Sequence, residues 1–505
     1  VQDKMHIARH LDDLGVGYIE GGWPGSNPKD TEFFAFAAKE LDLKHATLAA
    51  FGATRRPDAA AADDQLVAAL RESGASVVTL VAKSHDRHVE LALRTTLAEN
   101  LAIVRDTVSH LRAEGQRVFV DLEHFFDGYR DDSAYALEVV RSAAESGAEV
   151  VVLCDTNGGM LPPHVGDAVG EVLAGSGVRL GIHCHNDTGC AVANTLAAVG
   201  AGATHVQGTI NGYGERTGNA DLVAVVANLE LKLDRTVLPP GLLAEATRIA
   251  HAVADVTNVP PASRQPYVGT SAFTHKAGLH ASAIKVDPML YQHLDPVDVG
   301  NDMRLLVSDL AGRASIELKG RELGWDLSGD RTLVDRVTAR VKELEAGGYT
   351  FEAADASFEL LLAEEVEGRR PAYFEVESWR VITETLSHAR PGEEAVSEAV
   401  VKLTAEGVRY VVTGEGNGPV NALDAALRSA IGQAFPAVAK FELIDYKVRI
   451  LDQGHGTDAV TRVLIETTDG ESSWVTVGVG HNVIEASWGA LVDGLTFGLR
   501  RAATG

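Results

Sequence analysis

Short apolar runs recur along the first 212 residues: 16–22 (VGYIEGG), 45–52 (HATLAAFG), 76–83 (SVVTLVAK), 117–124 (RVFVDLEH), 149–156 (EVVVLCDT), 179–186 (RLGIHCHN) and 205–212 (HVQGTING). Between them lie stretches with apolar residues at helical spacing, such as 133–148 (SAYALEVVRSAAESGA). A glycine precedes most runs: Gly15, Gly74, Gly115, Gly147, Gly177 and Gly202. That is where a helix stops, because glycine takes the required positive φ at little cost. Near-continuous apolar strands alternating with helices predict a parallel sheet covered on its outside. Seven such units predict an α/β fold of the (β/α)8 TIM-barrel type with its first strand missing. The chain opens instead on a helical pattern, with Ile7, Leu11 and Leu14 on one face. No Gly-x-Gly-x-x-Gly follows an early strand, which weighs against a dinucleotide-binding open sheet.

The pattern changes twice more. Pro260, Pro261 and Pro266 mark an exit from the barrel, and helical spacing continues beyond, as at 331–346. From about Ala372 the chain turns to long strands, with helices expected at about 418–432 and 482–500. The segments 414–427 (GEGNGPVNALDAAL) and 478–491 (GVGHNVIEASWGAL) parallel each other as strand, glycine loop and helix. This predicts an α+β domain with an internal ββα-type repeat, its two small sheets stacked with helices outside. The expected division is a barrel at 1–261, a helical linker at 262–370 and a C-terminal domain at 371–505.

Charge narrows the partners. Lys and Arg number 45 against 71 Asp and Glu, a net charge of −26, which argues against nucleic acid and anionic membrane surfaces. No apolar run is long enough to span a membrane, and no signal peptide is expected. The three cysteines, Cys154, Cys184 and Cys190, make no disulfide framework, which fits a reducing cytoplasm.

Barrel chemistry gathers at the C-terminal ends of the strands. Those ends carry Glu20, Lys83, Glu123 with His124, Asp155 with Thr156, His183 with His185, and Asn211. On a strand, residues two apart point the same way, so His183 and His185 face the barrel axis together. Two neutral imidazoles with carboxylates on neighbouring strands suit one divalent cation. An isolated His-x-His would more simply be a hydrogen-bonded pair; the place at a barrel strand end favours the metal. The following loop, 211–222 (NGYGERTGNADL), has Gly212, Gly214 and Gly218 for close backbone approach. In it Glu215 and Arg216 are expected to pair, and Asn219 offers an amide oxygen.

Together HCHND (183–187) and GYGERTGN (212–219) resemble the signature of the α-isopropylmalate synthase, homocitrate synthase and citramalate synthase family. Further segments resemble its citramalate branch in particular: GGWPGSNPKD (21–30), FGATRRP (51–57), EHFFDGY (123–129), CDTNGG (154–159), AFTHKAGLH (272–280) and LVSDLAGRASI (306–316). The resemblance covers essentially the whole chain. It implies an acyltransferase performing a metal-dependent Claisen-type condensation of acetyl-CoA with pyruvate and water, giving (R)-citramalate and CoA in isoleucine biosynthesis. By resemblance, His183, His185 and Asn219 are metal ligands; the cation is Zn, Mn or Mg. Glu123 is a catalytic carboxylate, and Thr156 contacts the substrate carboxylate. His280 is the catalytic histidine and Tyr291 its neighbour, in a linker that covers the site. His88 is a pocket residue, whereas His275 reads as a solvated loop histidine. The family's first strand ends in D-x-T-L-R-D-G, carrying a metal-binding Asp and an Arg, and this motif is not found here.

The C-terminal domain resembles the family's regulatory and dimerisation domain, which implies a homodimer with isoleucine as feedback inhibitor. Its glycine loops, 414–418 and 478–482, precede helix starts that can receive a carboxylate. His455 and His481 are expected in solvated loops. Two alternatives stand beside this reading. One is 2-isopropylmalate synthase, with 2-oxoisovalerate as acceptor; the other is a catalytically dead amino-acid sensor.

Overall fold

The computed structural model describes residues 1–276, 278–307, 312–327, 329–384, 396–451 and 459–504; His455 lies outside them. They form two compact units, Val1–Phe273 with Leu294–Asp302, and Thr274–His293 with Met303–Gly505.

The first unit holds one parallel sheet whose seven strands follow chain order: β1 (Tyr18–Glu20), β2 (Thr47–Ala53), β3 (Val77–Lys83), β4 (Arg117–Glu123), β5 (Val150–Asp155), β6 (Leu180–Cys184) and β7 (His205–Gln207). Helices fill the connections, among them Leu97–Ala113, Ser133–Glu145, Pro162–Ser176 and Ala191–Gly200. All six glycines expected to stop helices have positive φ, from 63° at Gly177 to 116° at Gly202.

Residue parity separates the two faces of this sheet. On β4, Val118, Val120 and Leu122 join the large core shared with the helices. Phe119 joins a smaller inner core with Ala49, Val77, Val150, Val152 and Cys154. Asp121 and Glu123 share the side of Phe119. On β6, Leu180, Ile182 and Cys184 pack outward, which turns Gly181 and His183 inward. The sheet is curled. Tyr18 and His205 belong to its two edge strands, yet their rings lie 5.9 Å apart, and each also meets Phe119, at 5.0 and 5.1 Å. Among the described residues β1 and β7 do not pair, and the sheet has seven strands where a closed barrel has eight.

The second unit begins with the short parallel pair β8 (Thr274–His275) and β9 (Arg304–Leu305), followed by helices Arg313–Glu322, Arg331–Ala346 and Asp355–Glu367. Two antiparallel sheets follow. The first is β10 (Phe374–Glu384), β11 (Val396–Ala405) and β12 (Val408–Gly416); the second is β13 (Glu442–Ile450), β14 (Thr461–Thr468) and β15 (Ser473–Gly480). Helix Pro419–Gly432 follows the first sheet and Val483–Thr504 the second, so each half carries one strand more than the expected ββα unit. The two sheets are not stacked as expected. Burial alternates along β11 and β14, so each sheet has one apolar face, and its own following helix takes that face. The two helices touch each other and close one shared core around Leu423, Leu427, Ala490 and Leu495.

Helix Asp355–Glu367 joins two cores. Phe358, Leu361 and Leu362 pack with Val334, Val337 and Val341, whereas Ala356 and Leu360 pack with the C-terminal sheets. Ser357 Oγ also accepts a hydrogen bond from the Val477 N–H at 2.9 Å. A cut near 371 would therefore strip cover from the Ala356–Leu360 face.

Candidate active site

The strand ends of the first unit bring most of the expected residues together. Glu123 ends β4 and is ion-paired with Lys83, the last residue of β3. His124 follows with φ 58°, and its N–H donates to Thr156 Oγ1 at 2.8 Å. That bond uses the Thr156 oxygen as acceptor and leaves its hydroxyl hydrogen free to donate. His88 stacks on His124 with centroids 3.9 Å apart. Burial lowers the pKa of both rings, and mutual repulsion among His85, His88 and His124 adds to this.

His183 and His185 lie with ring centroids 5.2 Å apart. β6 ends at Cys184, and an isolated antiparallel bridge to Asn219 carries the extended backbone through His185. Burial pushes the His183 pKa down to about 4, against the opposing pull of Gln207, so this ring is neutral at neutral pH. Burial, then the charge of Arg216, lowers His185 as well. A neutral imidazole keeps a lone pair for a cation.

The loop after β7 delivers Asn219. Its Nδ2 donates to the Tyr213 carbonyl at 3.0 Å, which fixes the amide and leaves Oδ1 buried with no partner. Gly218 turns the chain with φ 92°, and a Cβ there would meet the Gly212 carbonyl oxygen at 2.0 Å. A Cβ at Gly214 would meet Asn219 Nδ2 at 2.1 Å. Gly214→Ala is therefore expected to displace the amide and lower turnover about tenfold, a loss near 1.4 kcal/mol. A circular-dichroism melt beside steady-state rates checks that the fold survives.

Arg216 pairs with Glu215 as expected, at 4.0 Å and with Glu215 exposed, but its shorter bonds go elsewhere. It grips Asp187 through two bonds of 2.9 Å and donates to the Thr156 carbonyl at 2.7 Å. A bidentate pair is the stronger geometry, so the glycine loop is tied to the ends of β5 and β6. Asn211 is also structural: its Nδ2 donates to the Ala250 carbonyl and its Oδ1 accepts from Gln265.

Sequence reasoning missed two interior residues. Gln207 Oε1 lies 2.9 Å from His183 Nδ1, and Gln207 Nε2 donates to Asp121 Oδ1 at 2.9 Å. Burial, then the charge of Glu20, raises the Asp121 pKa, against the bond from Gln207. Inward parity was the available signal for both.

In the second unit, His280 and Tyr291 come together as expected, with rings stacked at 4.1 Å. His275 is no solvated loop residue: it lies on β8, half-buried, with its ring 6.0 Å from His280. Burial, then the nearby His280, lowers its pKa. Leu279, Val286 and Leu290 beside them are exposed.

Comparison with known proteins follows the same segments. An HMGL-like family model matches residues 1–253, a homocitrate synthase post-HMGL domain-like model 267–348, and the LeuA allosteric (dimerisation) domain model 352–499. An (R)-citramalate synthase of Streptomyces coelicolor is 68% identical over 99% of this chain and 93% of its own length. The chain belongs to the (R)-citramalate synthase family. An (R)-citramalate synthase of Synechocystis is 46% identical over 100% of this chain and 93% of its own length, and one of Aquifex aeolicus 46% over 99% and 94%.

Membership of the citramalate synthases implies a divalent cation and acetyl-CoA. The residues present fit a cation: Asn219 Oδ1 and His185 Nδ1 are buried without a partner, next to the neutral His183. Two imidazoles and an amide oxygen are a suitable donor set for a divalent ion. No group of three or more His, Cys, Asp or Glu side chains at metal-binding spacing occurs among the described residues.

Proposed function

We propose that this protein is an acyltransferase that condenses acetyl-CoA with pyruvate and water, giving (R)-citramalate and CoA. The observation that carries the reading is 68% identity to an (R)-citramalate synthase across 99% of the chain. The test is free-thiol release by the purified protein with acetyl-CoA. Pyruvate should support it far better than 2-oxoisovalerate; the reverse preference would move the assignment to 2-isopropylmalate synthase.

His183, His185 and Asn219 are the residues proposed to hold the divalent cation, with zinc, manganese and magnesium all compatible with that donor set. The cation, when bound, supplies Lewis-acid polarisation of the 2-oxo group. Thr156 donates its free hydroxyl hydrogen to the carboxylate of the 2-oxo acid. Glu123, anchored through one oxygen by Lys83, offers its other oxygen as acceptor to the hydroxyl formed from the keto oxygen. His88 lines the same strand ends. In the second unit, His280 takes the methyl proton of acetyl-CoA, with Tyr291 setting its ring plane. The methyl carbon then bonds to the keto carbon, whose oxygen takes a proton from solvent while His280 returns its own to solvent; water cleaves the thioester, its oxygen going to the new carboxylate and a proton to the CoA thiolate, which leaves as the free thiol.

The second unit also supports a regulatory reading. Loop 414–418 borders a cavity of about 570 Å³ lined by Val420, Phe441, Leu443 and Tyr446, at the start of helix Pro419–Gly432. We propose isoleucine as its ligand in a homodimer, its carboxylate towards the helix start. Asn421→Asp puts a like charge in that first turn, while an acidic side chain there suits the helix. Isoleucine inhibition should weaken about 5–150-fold, the usual range of such coupling, with uninhibited turnover unchanged. Unchanged inhibition that competes with pyruvate would assign isoleucine to the catalytic unit. Among the described residues no helix is long and apolar enough to cross a membrane. The cytoplasmic location belongs to the proposed reading and rests on the three free cysteines.

A further inference from the structure

One layer below the strand ends, three polar side chains bond in series across the interior of the sheet. His183 on β6 and Gln207 on β7 are direct partners in strand register, with Nδ1 and Oε1 2.9 Å apart. Gln207 Nε2 lies 2.9 Å from Oδ1 of Asp121, which comes from β4 and reaches β7 across the curled interior. The neighbours on that face are Phe119, Val152 and Cys154. Burying a glutamine and an aspartate among such groups is costly unless they are bonded. Each bonds the next, and the series ends on His183.

We propose that Gln207, oriented by Asp121, is a positioning residue that fixes His183 as its Nδ1–H tautomer and so presents the Nε2 lone pair to a divalent cation. The inference rests on the reading of His183 as a ligand. Its logic is local. An amide has one acceptor end and one donor end. Asp121 takes the donor end of Gln207, which leaves the oxygen for His183 Nδ1. A ring whose Nδ1 donates must carry its lone pair on Nε2, and such outer partners set the tautomer and orientation of ligating histidines. The bond holds the ring at Nδ1 and, beside the side-chain hydrogen bond between His183 and Asn219, resists its rotation. The flipped amide would accept from a protonated Asp121 and donate to Nδ1, giving the opposite tautomer.

Two measurements on the full chain separate these cases. Long-range ¹⁵N–¹H correlation spectra of the metal-free protein, with His183→Gln used to assign the ring, report the tautomer directly. The expected result is Nδ1–H for His183 in the native chain and a mixture in Gln207→Leu. An Nε2–H ring in the native chain overturns the proposal, whatever the variants do. The second measurement is Mn²⁺ affinity by calorimetry, with the Co²⁺ absorption spectrum as a check on geometry. Gln207→Leu should weaken Mn²⁺ by roughly 10–100-fold and alter the Co²⁺ spectrum. Asp121→Asn combined with Gln207→Glu exchanges amide and carboxylate, restores an acceptor facing Nδ1, and should recover most of the affinity even if Gln207→Leu folds poorly. Native affinity in a folded Gln207→Leu, or no recovery in a folded double variant, overturns the proposal. His185→Ala is the control for the parent reading. If it too leaves Mn²⁺ affinity unchanged, the metal site itself is misassigned; if it alone loses Mn²⁺, only the role of Gln207 fails.

Discussion

His185→Ala abolishes metal-dependent turnover while leaving the fold intact: that is the expected result, with a rate loss on the order of 10³ or more. A ligand contributes directly to the charge stabilisation a Lewis acid supplies, and even an outer partner of a ligand is worth about 10–100-fold. The fold should survive because His185 lies beyond the end of β6 and its Nδ1 has no hydrogen-bond partner to lose. Its backbone N–H still donates to the Asp155 carbonyl at 3.1 Å, which alanine preserves. Turnover is measured across a series of Mn²⁺ concentrations beside a thermal melt. A native rate and native metal dependence would remove His-x-His from the site. Partial recovery at high metal would instead show that His183 and Asn219 still hold the ion weakly.

The sequence carried the strands, the helix stops and the strand-end histidines because each follows from a local rule. Parity turns His183 inward, and a positive φ puts glycine at each helix end. Partners that depend on register or curvature were not legible. Gln207 meets His183 only because the two are opposed in the β6–β7 register. Asp121 meets Gln207 only because the sheet curls until β4 faces β7. The close bidentate bonds of Arg216 to Asp187, beside its longer pair with Glu215, are likewise a matter of loop path, which the backbone glycines allow but do not specify. In the second unit the repeat was visible, but not how its layers pack. A strand with one apolar face looks the same whether a sheet or a helix covers it.

The largest effect expected in the second unit is on proton transfer. His280→Ala should lower the turnover number by about 10²–10⁴, with little change in the Michaelis constant for pyruvate. The thioester methyl is a weak acid, so its proton moves only with a positioned base, and that interaction exists in the transition state alone. His280 sits on helix Gly278–Ile284, half-buried, with Tyr291 stacked at 4.1 Å and His275 at 6.0 Å. Tyr291→Phe keeps the stacked ring and should cost far less than Tyr291→Leu, if the role of Tyr291 is to set the imidazole plane. His275→Gln should leave the turnover number within a few-fold, because that ring is held on β8 and its pKa is already lowered by burial. The decisive readout is exchange of the acetyl-CoA methyl protons with deuterated solvent in the presence of a non-reactive pyruvate analogue. His280→Ala should abolish exchange that the native chain supports. Exchange at the native rate, with only the Michaelis constant for pyruvate raised, would make His280 a recognition residue and leave the base to be sought elsewhere.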